Sequence, residues 1–191
     1  AGAYAIWPWT SALEAAMAGG ILAGPYDIKH YRAKTATVAT NKPAIIPYRG
    51  VARAPVCFAD ELTIDAVARA VGREPHEVRI ENMVGPEQMP YLNVTNKLFD
   101  SGDYPESVRH AAELIDIAAV RARQKRGEPD GRLVGLGFGS YTEQSAHGTQ
   151  VFAQWGVEIV PGLEMATARL TPDGDLVLEV AIQSHGQGME T

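Results

Sequence analysis

Apolar residues recur at three- and four-residue spacings through the middle of the chain and at every second position towards its end. The pattern predicts a first helix capped by Thr10 or Ser11, running through Ala18 and closed by Gly19-Gly20. Tyr26–Thr40 interleaves β-branched and aromatic residues with polar ones and is expected to be a strand. Asn41–Pro55, with three prolines and Gly50, reads as a loop anchored by Ile45, Ile46 and Tyr48, the kind of segment that carries function. Pro55 opens a helix that reaches Val71 and stops at Gly72, with Phe58, Leu62, Ala66 and Ala70 on one face. Pro75 starts a short helix in the favoured first-turn position. After an irregular stretch, 85–102, the longest helix is expected over Asp103–Arg126, with a stripe of Val108, Ala111, Ala112, Ile115, Ala118 and Ala119.

Gly127–Gly131 reads as a linker and as the boundary between two subdomains, 1–126 and 132–191. Beyond it the period becomes two. In Leu133–Gln144, Gly135, Gly137 and Gly139 share a face with Tyr141, opposite Val134, Leu136 and Phe138. A glycine row of this kind admits either a closely packed neighbouring element or a flat ligand. It is not the G-x-G-x-x-G turn of dinucleotide-binding folds. Gln144–Gly162 is loop-like, and Leu163–Thr171 with Leu176–Gln183 forms a hairpin about Asp173-Gly174. The fold class is α+β, mixed sheets with packed helices.

Composition removes several kinds of function. A net charge of −6 and a pI near 5.4 argue against nucleic acid or anionic lipid as main partner. The local exception, Arg121, Arg123, Lys125 and Arg126, falls at a helix end, where cations complement the dipole. Cys57 is the sole cysteine, so neither a disulfide nor an iron–sulfur cluster can be built by this chain alone. The five histidines lack metal-ligand spacing. No apolar run reaches the length of a membrane span. The chain lacks an initiating Met and opens on Ala1-Gly2-Ala3-Tyr4, and it is expected to be a fragment or a processed piece.

Two places suggest chemistry. Arg49 sits between Tyr48 and Gly50 in the anchored loop, where its guanidinium could grip a phosphate or polarised oxygen, or tie loop carbonyls together. Gln187 sits between Gly186 and Gly188, either in a simple turn or as a carboxamide aimed at a hydrogen-bonding ligand.

The order Tyr48-Arg49-Gly50, Glu61-x-x-x-Asp65, "REPHEVRIENMV", "GLGFGSYTEQ" and "GQGMET" resembles the molybdenum-binding large subunit of the xanthine dehydrogenase/aldehyde oxidase family, the molybdenum hydroxylases. "RIENMVGPEQMPY" and "YPESVRHA" are most similar to the carbon monoxide dehydrogenase-like branch. The resemblance covers nearly the whole chain. It implies part of a molybdopterin-binding region, with Arg49, Gly50, Gly186, Gln187 and Gly188 at the cofactor. Val51, Tyr141, Thr142 and, by unchanged spacing, Met17 are then implied in the substrate pocket. The implied cofactor is molybdopterin-bound molybdenum, in its cytosine dinucleotide form. The implied partners are the remaining large-subunit segments, an iron–sulfur subunit with 2Fe-2S clusters and an FAD subunit, in the cytoplasm.

Departures from the family narrow the substrate. Gly50 stands where carbon monoxide dehydrogenases carry a copper-holding cysteine, so carbon monoxide is not the expected substrate. Met17 stands where purine oxidases carry an anchoring arginine, and Val51 where they often carry an aromatic. The resemblance therefore implies oxidative hydroxylation of an aldehyde or aromatic N-heterocycle, with water as the oxygen source. The alternative is a binding module that kept the fold and lost the cofactor. The family's glutamate base lies downstream of Gly-Gln-Gly, so no catalytic residue is assigned; neither Glu143 nor Glu190 matches it.

Overall fold

The computed structural model describes residues 2–4, 13–45, 47–144, 149–154, 165–182, 184–186 and 188. The chain forms two compact units, Ala1–Glu143 and Gln144–Thr191.

In the first unit, helix α1 spans Leu13–Ile21. It passes through Gly19-Gly20 instead of ending there, and Gly19 serves packing. A methyl group on Gly19 would meet Thr35 Cγ2 at 3.1 Å, and the Tyr31 hydroxyl donates to the Gly19 carbonyl at 2.6 Å. The strand expected over Tyr26–Thr40 does not form. Tyr26 bridges Met83, and 27–40 form no ladder among the described residues. A strand is completed by a partner, and alternation alone does not supply one.

Helix α2, Arg53–Val71, ends as read, on Gly72 at φ 68. The N–H of Arg73 reaches back to the Ala68 carbonyl to close the last turn. Its start lies two residues before Pro55, which leaves Pro55 in the first turn, where its missing N–H costs nothing. The buried face is not the one expected: Phe58 and Leu62 are 69% and 50% exposed, whereas Val56, Glu61 and Ala68 are buried. The cause is a buried ion network. Arg79, from α3 (Pro75–Asn82), is fully buried. Its Nε donates to Glu61 Oε2 at 2.9 Å, its Nη1 lies 2.9 Å from Asp65 Oδ1, and its Nη2 donates to the Glu61 carbonyl at 3.1 Å. Tyr26 donates its hydroxyl to Glu61 Oε1 at 2.6 Å, and burial, then that hydrogen bond, holds the phenol well above its usual range. The charges taken into the core are thus paired, which turns the helix onto its charged face, while His76 Nδ1 is buried without a hydrogen-bond partner among the described residues.

A 3₁₀ turn, Pro86–Gln88, and a short ladder of β1 (Tyr91–Leu92) with β2 (Leu98–Phe99) occupy the stretch expected to be irregular. Buried Asn93 closes the ladder's turn by accepting from the backbone N–H groups of Thr95 and Lys97. The long helix expected over Asp103–Arg126 is two helices, α4 (Tyr104–Ile115) and α5 (Ile117–Arg126). Asp116, at φ 50, ends the first and caps the second, its carboxylate accepting from Ala119 N–H at 3.0 Å. Of the expected stripe, Val108 is buried, and Val120 takes over beyond the break.

Tyr26, Met83 and Val108 make the core, and Ile28, Ile64, Ile80, Tyr104 and Phe138 pack against it. Phe138 comes from the glycine-rich segment. That segment is extended but forms no ladder among the described residues. It docks on the first unit through Phe138, whose ring lies 4.7 Å from the Arg79 guanidinium carbon. The 127–131 turn therefore lies inside the first compact unit, and 132–143 returns across it.

In the second unit α6 covers Thr149–Gln154. The hairpin forms as read: β3 (Ala166–Leu170) pairs antiparallel with β4 (Leu176–Val180), Leu170 opposite Leu176, and Gly174 sits at φ 89 in the turn. The two small ribbons and packed helices fit the α+β class. No helix among the described residues is long and apolar enough to cross a membrane.

Candidate functional site

Arg49 lies in an exposed bend just before α2. Two left-handed residues shape that bend, Gly50 at φ 76 and Ala52 at φ 64. Glycine takes this conformation without strain, whereas alanine pays roughly 1–2 kcal/mol. Ala52 is buried and held there by the Val56 N–H, which donates to its carbonyl at 3.0 Å. Val51 lies between the two and is half-buried.

Tyr141 and Thr142 border a niche with Ile21, Arg53, Cys57 and Asp60. Thr142 is half-buried and Tyr141 is 73% exposed. Met17 is on α1, one turn before Ile21, and is half-buried. The cavity measures about 20 Å³, room for a single water, and Met17 is not among the residues that line it. Tyr141 also borders a second cavity of about 220 Å³, with Met83, Tyr104, Val108 and Phe138.

Two titratable groups on α2 face the niche. Cys57 donates its thiol to the Ser140 carbonyl at 3.6 Å. Burial, then the charges of Glu61 and Asp60, push that thiol up, so it is no ready thiolate ligand. Asp60 is pushed up to about 7, first by burial and then by the charge of Glu61. A carboxyl whose folded pKa is raised is stabilising while protonated and loses that stability as pH climbs from the unfolded value through the folded one. Asp60→Asn is therefore expected to leave stability unchanged near pH 4 and to raise it by roughly 1–2 kcal/mol at pH 8. Thermal unfolding at the two pH values measures this, and an equal effect at both would contradict it.

The glycine row resolves one ambiguity. A methyl group built on Gly135, Gly137 or Gly139 meets nothing within 4 Å among the described residues. Close packing by those residues therefore does not require the glycines. Gly186 and Gly188 sit at φ 92 and φ 77, conformations that glycine favours, and both are exposed. Gln187 between them lies outside the described residues.

Sequence reasoning missed Arg53, Cys57 and Asp60. Their spacing, four and then three residues, was the available signal, because it places them on one face of α2.

In the first unit the structure shows an exposed cation before a left-handed glycine and a glycine row open to added methyl groups, and in the second it shows two exposed left-handed glycines. Two family models described as molybdopterin cofactor-binding domain match residues 1–83 and 110–191. The nicotine 6-hydroxylase large subunit of Paenarthrobacter nicotinovorans is 29% identical over 191 residues, all of this chain and 23% of that subunit. The carbon monoxide dehydrogenase large chain of Hydrogenophaga pseudoflava is 29% identical over 177 residues, 90% of this chain and 22% of its own length. The crystal structure of quinoline 2-oxidoreductase from Pseudomonas putida 86 superposes with a TM-score of 0.83 at 33% identity, covering 100% of this chain and 24% of that one. The chain belongs to the molybdopterin-binding large subunits of the molybdenum hydroxylase family. It spans about a quarter of the length of these relatives.

Proposed function

We propose that the chain is part of the large subunit of a molybdenum-dependent oxidoreductase that hydroxylates an aromatic N-heterocycle or an aldehyde, with oxygen taken from water. The observation that carries this reading is the Arg49-Gly50-Val51 bend. A guanidinium is followed by a glycine at φ 76, where a cysteine would be needed to hold copper, and then by a small apolar side chain. Relatives named for nicotine and quinoline chemistry support the heterocyclic class.

The donor set fits the cofactor. Arg49 supplies fixed positive charge for a phosphate or a polarised oxygen, and Gly50, Gly186 and Gly188 carry no side chain and hold left-handed conformations. Gln187 adds an amide with two donors and an acceptor. When bound, the molybdenum–pterin group supplies the two-electron oxidation. The residues of this chain bind and orient. Arg49 and Gln187 hold the cofactor, while Val51, Met17, Tyr141 and Thr142 shape a pocket in which Met17 takes the place of the arginine that purine oxidases carry. The family's glutamate base is assigned to sequence beyond Thr191. The subdomains are read as 1–126 and 132–191, the second lending its first segment to the core of the first. A cytosine dinucleotide tail on the pterin, and partner subunits carrying 2Fe-2S clusters and FAD, belong to the same proposal.

The test is turnover by the assembled enzyme in ¹⁸O-labelled water, with quinoline and benzaldehyde as probes and an artificial dye as acceptor. A product two mass units heavier is expected. Unlabelled product, or no turnover by a molybdenum-loaded enzyme, would overturn the proposal.

A further inference from the structure

We propose that Arg53 is a positioning residue that clasps the two loops of the substrate wall, fixing Val51 on one side against Tyr141 and Thr142 on the other. The inference rests on the function proposed above. The Arg53 backbone N–H donates to the Gly50 carbonyl at 2.8 Å, closing the bend. Its Nη1 donates to the same carbonyl at 3.3 Å and to that of Val51 at 3.4 Å. Its Nε lies 3.4 Å from Glu143 Oε1, one residue beyond Thr142. The side chain is 13% exposed. One planar guanidinium thus spans both loops from the base of α2, and an ammonium group could not reach all three oxygens with fixed geometry. Cys57, one turn further along α2, holds the Ser140 carbonyl on the same segment.

The bend is worth holding. Ala52, next to Arg53, keeps a left-handed conformation that a free loop would abandon, and such strain persists only where the surroundings over-determine it. If the clasp opens, Val51 and Thr142 drift independently, and the substrate loses contacts made alike in ground and transition states, which raises KM with little change in kcat.

The test compares Arg53→Met, Arg53→Lys, Glu143→Gln and the Arg53→Met/Glu143→Gln double variant in the assembled holoenzyme. Molybdenum content is expected to stay at the parent level. For quinoline, KM should rise roughly tenfold in Arg53→Met, with kcat changing much less, and by a smaller factor in Arg53→Lys and Glu143→Gln. The double variant should be no worse than Arg53→Met, because both changes open one tie. Hydrogen exchange of the amides at 50–53 and 140–143 reads the tie without turnover and should quicken at both loops in Arg53→Met. Unchanged exchange at either loop, or multiplying effects in the double variant, overturns the clasp. A parent enzyme without molybdenum overturns the functional reading instead, and the exchange result then decides the clasp alone.

Discussion

Arg79→Met is expected to destabilise the first unit by about 3–5 kcal/mol, because it strips the cation from a buried carboxylate pair. Glu61 is 4% exposed, and two of its oxygens accept from Arg79. Without the guanidinium, Glu61 must either stay charged in the core or take up a proton, and Tyr26 alone remains to satisfy its carboxyl. Arg79→Lys keeps the charge but loses the fork that serves Glu61, Asp65 and the Pro75 carbonyl together, so an intermediate loss is expected. Replacing both partners, Glu61→Leu with Arg79→Met, should recover much of the loss, since the cost lies in the orphaned charge more than in the missing pair. Urea unfolding of the four forms measures this. A loss below about 1 kcal/mol in Arg79→Met would place the network in the class of solvent-screened ion pairs and contradict its role in the core. The same change removes the cation beneath Phe138, so the glycine-rich segment should loosen together with Tyr141 and Thr142.

The second large effect is functional. Arg49→Met is expected to lower cofactor retention by roughly ten- to a hundredfold, since a charge-assisted hydrogen bond contributes about 1.5–3 kcal/mol. Arg49 is exposed, so its removal should change stability by no more than about 0.5 kcal/mol. That separates this variant from Arg79→Met, in which folding fails first. Molybdenum per subunit, measured by elemental analysis after gel filtration, should fall in Arg49→Met and recover partly in Arg49→Lys. Equal metal content in all three forms would remove Arg49 from the cofactor.

What could be read from the chain follows from how local each signal is. Gly72 at the end of α2, Pro75 at the start of α3 and Asp173-Gly174 between β3 and β4 act within a few residues, and the structure shows them as read. The face of α2 was hidden because the apolar-inward rule cannot foresee that a residue 18 positions away, Arg79, neutralises Glu61. The break at Asp116 was hidden by a stripe of alanines that continues across it, although Asp116 three residues before Ala119 is itself a capping signal. Tyr26–Thr40 carries the alternation of a strand, but beyond the Tyr26–Met83 bridge it pairs in no ladder among the described residues. At the site, Arg49-Gly50-Val51 was legible as a candidate, a guanidinium beside a glycine, although the expected loop anchors Ile45 and Tyr48 are 52% and 85% exposed and Ile46 lies outside the described residues. Arg53 was not, because its role depends on Glu143, 90 residues along the chain, returning to α2.

We propose that the Arg49 guanidinium and the Gln187 carboxamide both bind the cofactor. The most direct measurement is an experimental structure of the assembled holo-subunit, with molybdenum located by its anomalous scattering. The account predicts a molybdenum–pterin with the Arg49 guanidinium and the Gln187 carboxamide both within hydrogen-bonding distance of it. A cofactor bound elsewhere, or one touched by neither side chain, would contradict it.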